Sequence, residues 1–162
     1  FPVTIHAGEA DGIQSIHSAL VDGKARRIGH GVRIAADIHY SGEDFHLGEV
    51  AKRVLDSGIT LELAPRSNLQ TNASLEFGPD LRSHPFDLLY RLGFAVTVNP
   101  DNRLMSNTSV TEELYDLAVV HNYSAFDIRL FQENAIQASF CDSETLVNCQ
   151  KLLQGKADSG SN

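Results

Sequence analysis

The sequence predicts an α/β fold, half of a (β/α)8 barrel with about four parallel strands followed by helices, on three observations. Short β-branched apolar runs alternate with segments of helical periodicity. Neither GxGxxG nor GxxxxGK[ST] follows the first run, as a nucleotide-binding open sheet would usually require. The chain has 162 residues, whereas a full barrel takes about 250.

Val3-Thr4-Ile5-His6 is the first predicted strand. A helix over 11–20 follows, with Ile13, Ile16 and Leu20 on one face and Asp11 or Gly12 at its start. Arg27-Ile28-Gly29-His30 is the second strand. The helix predicted over 45–55 runs through Leu47, Val50, Val54 and Leu55 and stops at Ser57-Gly58. Ile59 to Leu63 is the third strand. A shorter helix over 85–92 has Pro85 in its first turn and Gly93 after its end. Ala95 to Asn99 is the fourth strand. Strand starts 24, 32 and 36 residues apart suit the crossover connections of parallel strands. Beyond Ser109 the pattern is helical, over 110–121, 124–139 and 143–153. Residues 1–153 are read as one half-barrel domain, and the small, polar tail 154–162 is expected to be disordered.

Hydrophobic residues make up 42% of the chain, enough for one sizeable core. Acidic side chains outnumber basic ones 21 to 13, a formal charge of −8, which argues against a nucleic-acid partner. The densest basic cluster, Lys24, Arg26 and Arg27, is short and holds no aromatic residue. No apolar run approaches the roughly 18 residues of a membrane span, and no basic-then-apolar leader opens the chain. No membrane partner and a cytoplasmic location are the expectations. Cys141 and Cys149 form no CxxC pair and read as packing residues of the last helices. The chain opens at Phe1, inside an apolar run and without a methionine, which reads as a cut within a larger domain.

Each predicted strand ends in residues suited to catalysis: His6-Ala7-Gly8-Glu9, Gly29-His30-Gly31, Pro65-Arg66-Ser67-Asn68 and Asn99-Pro100-Asp101-Asn102. The carboxyl ends of barrel strands converge on one mouth, so His6, Glu9, His30 and Asp101 are expected to share a pocket. Two imidazoles and two carboxylates without thiolates suit a zinc-type ion that keeps one position open for water. A carboxylate that is not a ligand can then shuttle protons. Ser67 and Asn68 either shape a turn or support the site through hydrogen bonds. Glu62 is expected to face a polar barrel interior. His17, His39, His46, His84 and His121 lack partnered spacing and read as surface or packing residues.

The motifs HAGE (6–9), RIGHG (27–31), SNLQT (67–71) and VTVNPDNR (96–103) stand in the order and approximate spacing of the adenosine deaminase family. The chain resembles the C-terminal half of those enzymes, from Phe1 to Phe140 and on to Leu153. The resemblance implies that His6 and Asp101 are zinc ligands. It implies that Glu9 gives a proton to purine N1 and that His30 orients the attacking water species and stabilises charge beside it. Gly8 and Asn102 are implied to contact substrate. Asn102 departs from the family's usual aspartate, and an amide can donate to an unprotonated N7 or accept through its oxygen. The implied activity is zinc-dependent deamination of adenosine, and of 2′-deoxyadenosine, to inosine and ammonia in purine salvage.

The family's HxH, on the first barrel strand, belongs to the N-terminal half, and no HxH occurs here. Catalytic zinc takes three or more protein ligands, and the resemblance supplies two. The chain alone is therefore expected to bind zinc weakly or not at all and to be inactive. Open strand edges predict self-association or pairing with the N-terminal half. The alternatives are an aminohydrolase of adenine or another aminopurine, and a non-catalytic half-barrel fragment. A cytidine-deaminase fold is disfavoured by the absent H-x-E and P-C-x-x-C signature.

Overall fold

Alternation along the β-branched runs gives each strand one apolar and one polar side, and the observed registers align those sides across the sheet. The computed structural model describes residues 1–42 and 44–158, the side chains of 156–158 excepted. In chain order the regular elements are β1 (Thr4–Ala7), α1 (Ile13–Val21), β2 (Arg27–His30), β3 (Ile38–Ser41), β4 (Asp44–Leu47), α2 (Glu49–Asp56), β5 (Thr60–Leu63) and α3 (Pro65–Gln70). They continue with α4 (Phe86–Arg91), β6 (Val96–Val98), α5 (Arg103–Ser106), α6 (Val110–His121), α7 (Ala125–Ala138) and α8 (Ser143–Asp158). Four strands pair in the order β1-β2-β5-β6, every pair parallel. This is the predicted half-barrel arrangement, with each predicted strand found in place.

Ile5, Ile28, Leu61 and Val96 are successive partners on one side of the sheet. They pack with Ile16 and Leu20 of α1, Val50 and Val54 of α2, Phe86 and Leu89 of α4, Leu117 of α6 and Phe131 of α7. The other side carries Thr4, His6, Arg27, Gly29, Glu62 and Thr97. There Thr4 Oγ1 donates to Glu62 Oε2 at 2.7 Å, and Arg27 Nε pairs with Glu62 Oε1 at 2.7 Å. Glu62 thus faces the polar interior side, as its place in the strand implied. Arg27 also donates through Nη1 to the Ala138 carbonyl and lies 3.8 Å over the Phe140 ring, tying the end of α7 to the sheet.

The helix predicted from Phe45 begins instead at Glu49. Residues Asp44–Leu47 form β4, which pairs antiparallel with β3 and sets His39 opposite His46 and Tyr40 opposite Phe45. The helix start is fixed from outside the helix: Asp37 Oδ2 accepts from the Val50 and Ala51 N–H groups at 3.0 and 2.9 Å. Gly48 lets that carboxylate approach, because a Cβ there would lie 2.0 Å from Asp37 Oδ1. Two short helices have no predicted counterpart: α3 covers the predicted end of the third strand, and α5 follows that of the fourth. α8 passes its predicted end at Leu153 and runs to Asp158, so the expected tail overlaps it, and residues 159–162 lie outside the described residues. Cys141 is exposed between α7 and α8, not packed on a helix. Among the described residues no helix is long and apolar enough to cross a membrane.

Candidate active site

The four parallel strands deliver the ionisable groups to one end of the sheet. His6 sits near the end of β1, exposed on the polar side, directly opposite Gly29 of β2. A Cβ at Gly29 would lie 2.4 Å from His6 Cδ2, so the imidazole rests in space that only glycine leaves. Glu9 follows β1 after the turn at Gly8, whose φ is +66°. The Gly8 N–H donates to Ser15 Oγ at 2.9 Å and its carbonyl accepts from Arg33 N–H, so both backbone groups are engaged within the chain.

His30 ends β2 and is buried at φ +61°, and Asp101, just past β6, is exposed at φ +50°. Non-glycine residues seldom adopt this left-handed region, and such strain gathers at functional sites. Donor atoms of His6, Glu9 and His30 all lie within 4.8 Å of one another. The His6 and His30 rings meet edge to face with centroids 4.9 Å apart, and His30 Nε2 lies 3.4 Å from Glu9 Oε2. Burial lowers the His30 pKa, Glu9 works against that shift, and His6 adds to it. Asp101 stands outside this trio. Ser67 Oγ of α3 donates to its Oδ2 at 2.7 Å, and its negative charge acts on His30 in the same sense as Glu9.

Ser67 and Asn68 are both buried within α3, which opens on Pro65 at the end of β5. Asn68 meets His30 Nδ1 through Nδ2 at 2.9 Å. Asn102 is the N-cap of α5, where its Oδ1 accepts from Met105 N–H at 3.1 Å. One residue of this network carried no signal in the sequence: His84, read as a surface or packing residue, is buried with Nε2 3.2 Å from Asn68 Oδ1. Its separation of 16 residues from Asn68 follows no helical or strand period, so only the fold could bring the two together. His6 with the Glu9 carboxylate beside it, and the Asp101 carboxylate past β6, two strands beyond β2, are residue types that fit a zinc-type ion.

Parallel βα units with ionisable groups gathered at the carboxyl ends of the strands define the catalytic end of a (β/α)8-barrel scaffold. Solved structures agree on the fold. Adenine deaminase from Arthrobacter aurescens matches 98% of this chain and 44% of its own, with a TM-score of 0.85 at 23% identity. An amidohydrolase from Burkholderia ambifaria with bound Zn matches 98% of this chain and 41% of its own, with a TM-score of 0.78 at 21% identity. The sequence model of the adenosine deaminase family matches residues 1–154, and the chain belongs to that family. The adenosine deaminase of Mycobacterium marinum is 49% identical over 138 residues, and that of Mycobacterium tuberculosis 47% over 138 residues. In both cases the match takes in 85% of this chain and 37% of the relative, so the chain spans little more than a third of those proteins.

Proposed function

We propose that the protein carrying this chain hydrolytically deaminates adenosine, and 2′-deoxyadenosine, to the inosine product and ammonia, with a zinc ion as cofactor. The observation that carries this reading is the contact of His6, Glu9 and His30, with the charge of Asp101 acting on His30, in a chain of this family. His6 and Asp101 would hold the ion, together with the HxH expected from the N-terminal half. When bound, such an ion supplies a water whose pKa is lowered toward about 7.

Glu9 is the proton donor. Giving its proton to purine N1 breaks the aromaticity of the ring and makes C6 electrophilic, so that water adds there. His30 orients that water and offsets the charge that develops beside C6. One proton of the added water passes to the amino nitrogen, the C6–N bond of the tetrahedral intermediate breaks and ammonia leaves, while the second water proton restores Glu9 and N1 keeps the proton it received. Ser67 keeps Asp101 aimed at the site through their hydrogen bond. Asn102 Oδ1 is occupied by the α5 cap, so Nδ2 is the group that donates to an unprotonated N7. The open edges at β1 and β6 favour pairing with the rest of the barrel or with a second copy.

Relatives at 46–49% identity are named adenosine deaminases, which supports the nucleoside over the free base. The likeness to an adenine deaminase concerns the fold alone. The test compares adenosine with adenine turnover by the protein carrying this chain. Adenosine should be preferred, and Glu9→Gln should lower kcat about 10²–10⁴-fold. A preference for adenine, or full activity in Glu9→Gln, overturns the proposal.

A further inference from the structure

A line of hydrogen bonds reaches the site from the helix layer behind it. Phe86 N–H donates to His84 Nδ1 at 3.1 Å, His84 Nε2 lies 3.2 Å from Asn68 Oδ1, and Asn68 Nδ2 lies 2.9 Å from His30 Nδ1. His84, Asn68 and His30 are 2%, 0% and 3% exposed, so water does not compete for these positions. The direction of the line is set at its far end, because a backbone N–H can donate but not accept. His84 Nδ1 must therefore accept, which leaves the ring's proton on Nε2. Burial pushes the His84 pKa down to about 3, in keeping with a neutral ring that carries one proton.

That proton points at Asn68, whose oxygen must face it. The Asn68 NH2 is thereby turned to His30, and two donors cannot face each other at 2.9 Å, so His30 Nδ1 accepts in turn. We infer that His84 is a positioning residue which, through Asn68, holds His30 with its proton on Nε2. His30 then presents an N–H to the pocket, 3.4 Å from Glu9 Oε2, and neither ring nitrogen keeps a lone pair for a metal ion. The part His30 plays in turnover rests on the proposed deaminase reading, whereas its tautomer does not.

The protein carrying this chain, labelled with 15N-histidine, reports the tautomer directly through two-bond proton–nitrogen correlations at neutral pH. His30 should show a protonated Nε2 and a bare Nδ1. Asn68→Asp offers an acceptor to both rings and should move the His30 proton to Nδ1, with kcat falling about 10–100-fold and KM unchanged. His84→Leu removes the orienting donor and should give a mixture of His30 tautomers. His84→Gln restores an N–H toward Asn68 and should return the single form. A proton on His30 Nδ1 in the unsubstituted protein overturns the inference, and so does an unaltered tautomer in Asn68→Asp. The unsubstituted spectrum decides alone if the variants fail to fold. A tautomer that behaves as stated in a protein that turns over no purine nucleoside sinks the functional reading and leaves the relay standing.

Discussion

Leu61 and Glu62 are neighbours on β5 and face opposite ways. Leu61 is fully buried between Ile28 and Val96, under helices supplied by the chain itself. Glu62 lies on the side that carries Thr4, His6, Arg27 and Thr97, where polar groups pair with one another and His6 stands exposed. The first side holds the fold together through apolar burial. The second contributes little to that burial and carries His6, one of the groups proposed to act in the reaction. A two-residue period thus separates the two sides along β5, and substitutions on them should fail in different ways; His30, in step with Ile28 on β2, departs from that alternation at φ +61°.

Leu61→Ala is expected to have the largest effect on stability. Deleting a fully buried leucine costs about 2–5 kcal/mol, read as a shift in the denaturation midpoint of the protein carrying this chain, while kcat per folded molecule stays unchanged. A stable variant would mean that the apolar side is less decisive than the contrast requires. Gly29→Ala tests the other side of the adjacent strand. The added Cβ collides with His6 Cδ2, and a ring can swing away at small cost to folding. Zinc retention after dialysis should weaken about 10–100-fold, with little change in the denaturation midpoint. The reverse pattern would break the division between the two sides.

His84 belongs to both regions, since it lies in the buried layer yet is hydrogen-bonded to the site. Its folded pKa, about 3, lies below the ordinary value of 6.5. Between those values the unfolded chain binds a proton that the folded chain refuses. The contribution of His84 to stability is therefore complete above about pH 6.5 and is lost as pH falls toward 3, by at most about 1.4 kcal/mol per pH unit. Denaturation midpoints measured from pH 7 to pH 4 should show this slope, and His84→Gln should flatten it. An identical slope in both proteins would show that His84 is not held neutral.

The sheet was legible because β-branched runs bounded by glycine and polar residues specify strands locally. The polar residues ending each run, His6, His30 and Asp101, marked the site for the same reason. Residues 45–47 read as the start of a helix because Phe45, Leu47 and the apolar residues after Gly48 also fit a helical face, and 38–44 carry no predicted element. Gly42, at φ +67° between two alternating segments, was the available hairpin signal. The cap on α2 comes from Asp37, 13 residues before Val50 in sequence, and capping patterns within four residues do not reach so far. The His84–Asn68–His30 line was unreadable for a stronger reason. Its members are 16 and 38 residues apart and sit on β2, on α3 and in the turn before α4, so the pairing exists only once these parts have packed.

Asp37 offers the smallest and cleanest test of the contrast. Its carboxylate accepts two N–H groups in the first turn of α2, where negative charge also meets the positive end of the helix. Asp37 belongs to neither the trio of donor atoms nor the line through Asn68. Asp37→Ala leaves those two N–H groups to find water and should cost about 1 kcal/mol. Asp37→Asn keeps an acceptor oxygen and should cost less. Both variants should keep the kcat and zinc content of the unsubstituted protein. A fall in zinc content would mean that the hairpin and α2 do more than support the sheet from behind, and that the apolar and polar sides are mechanically coupled through the loop that follows His30.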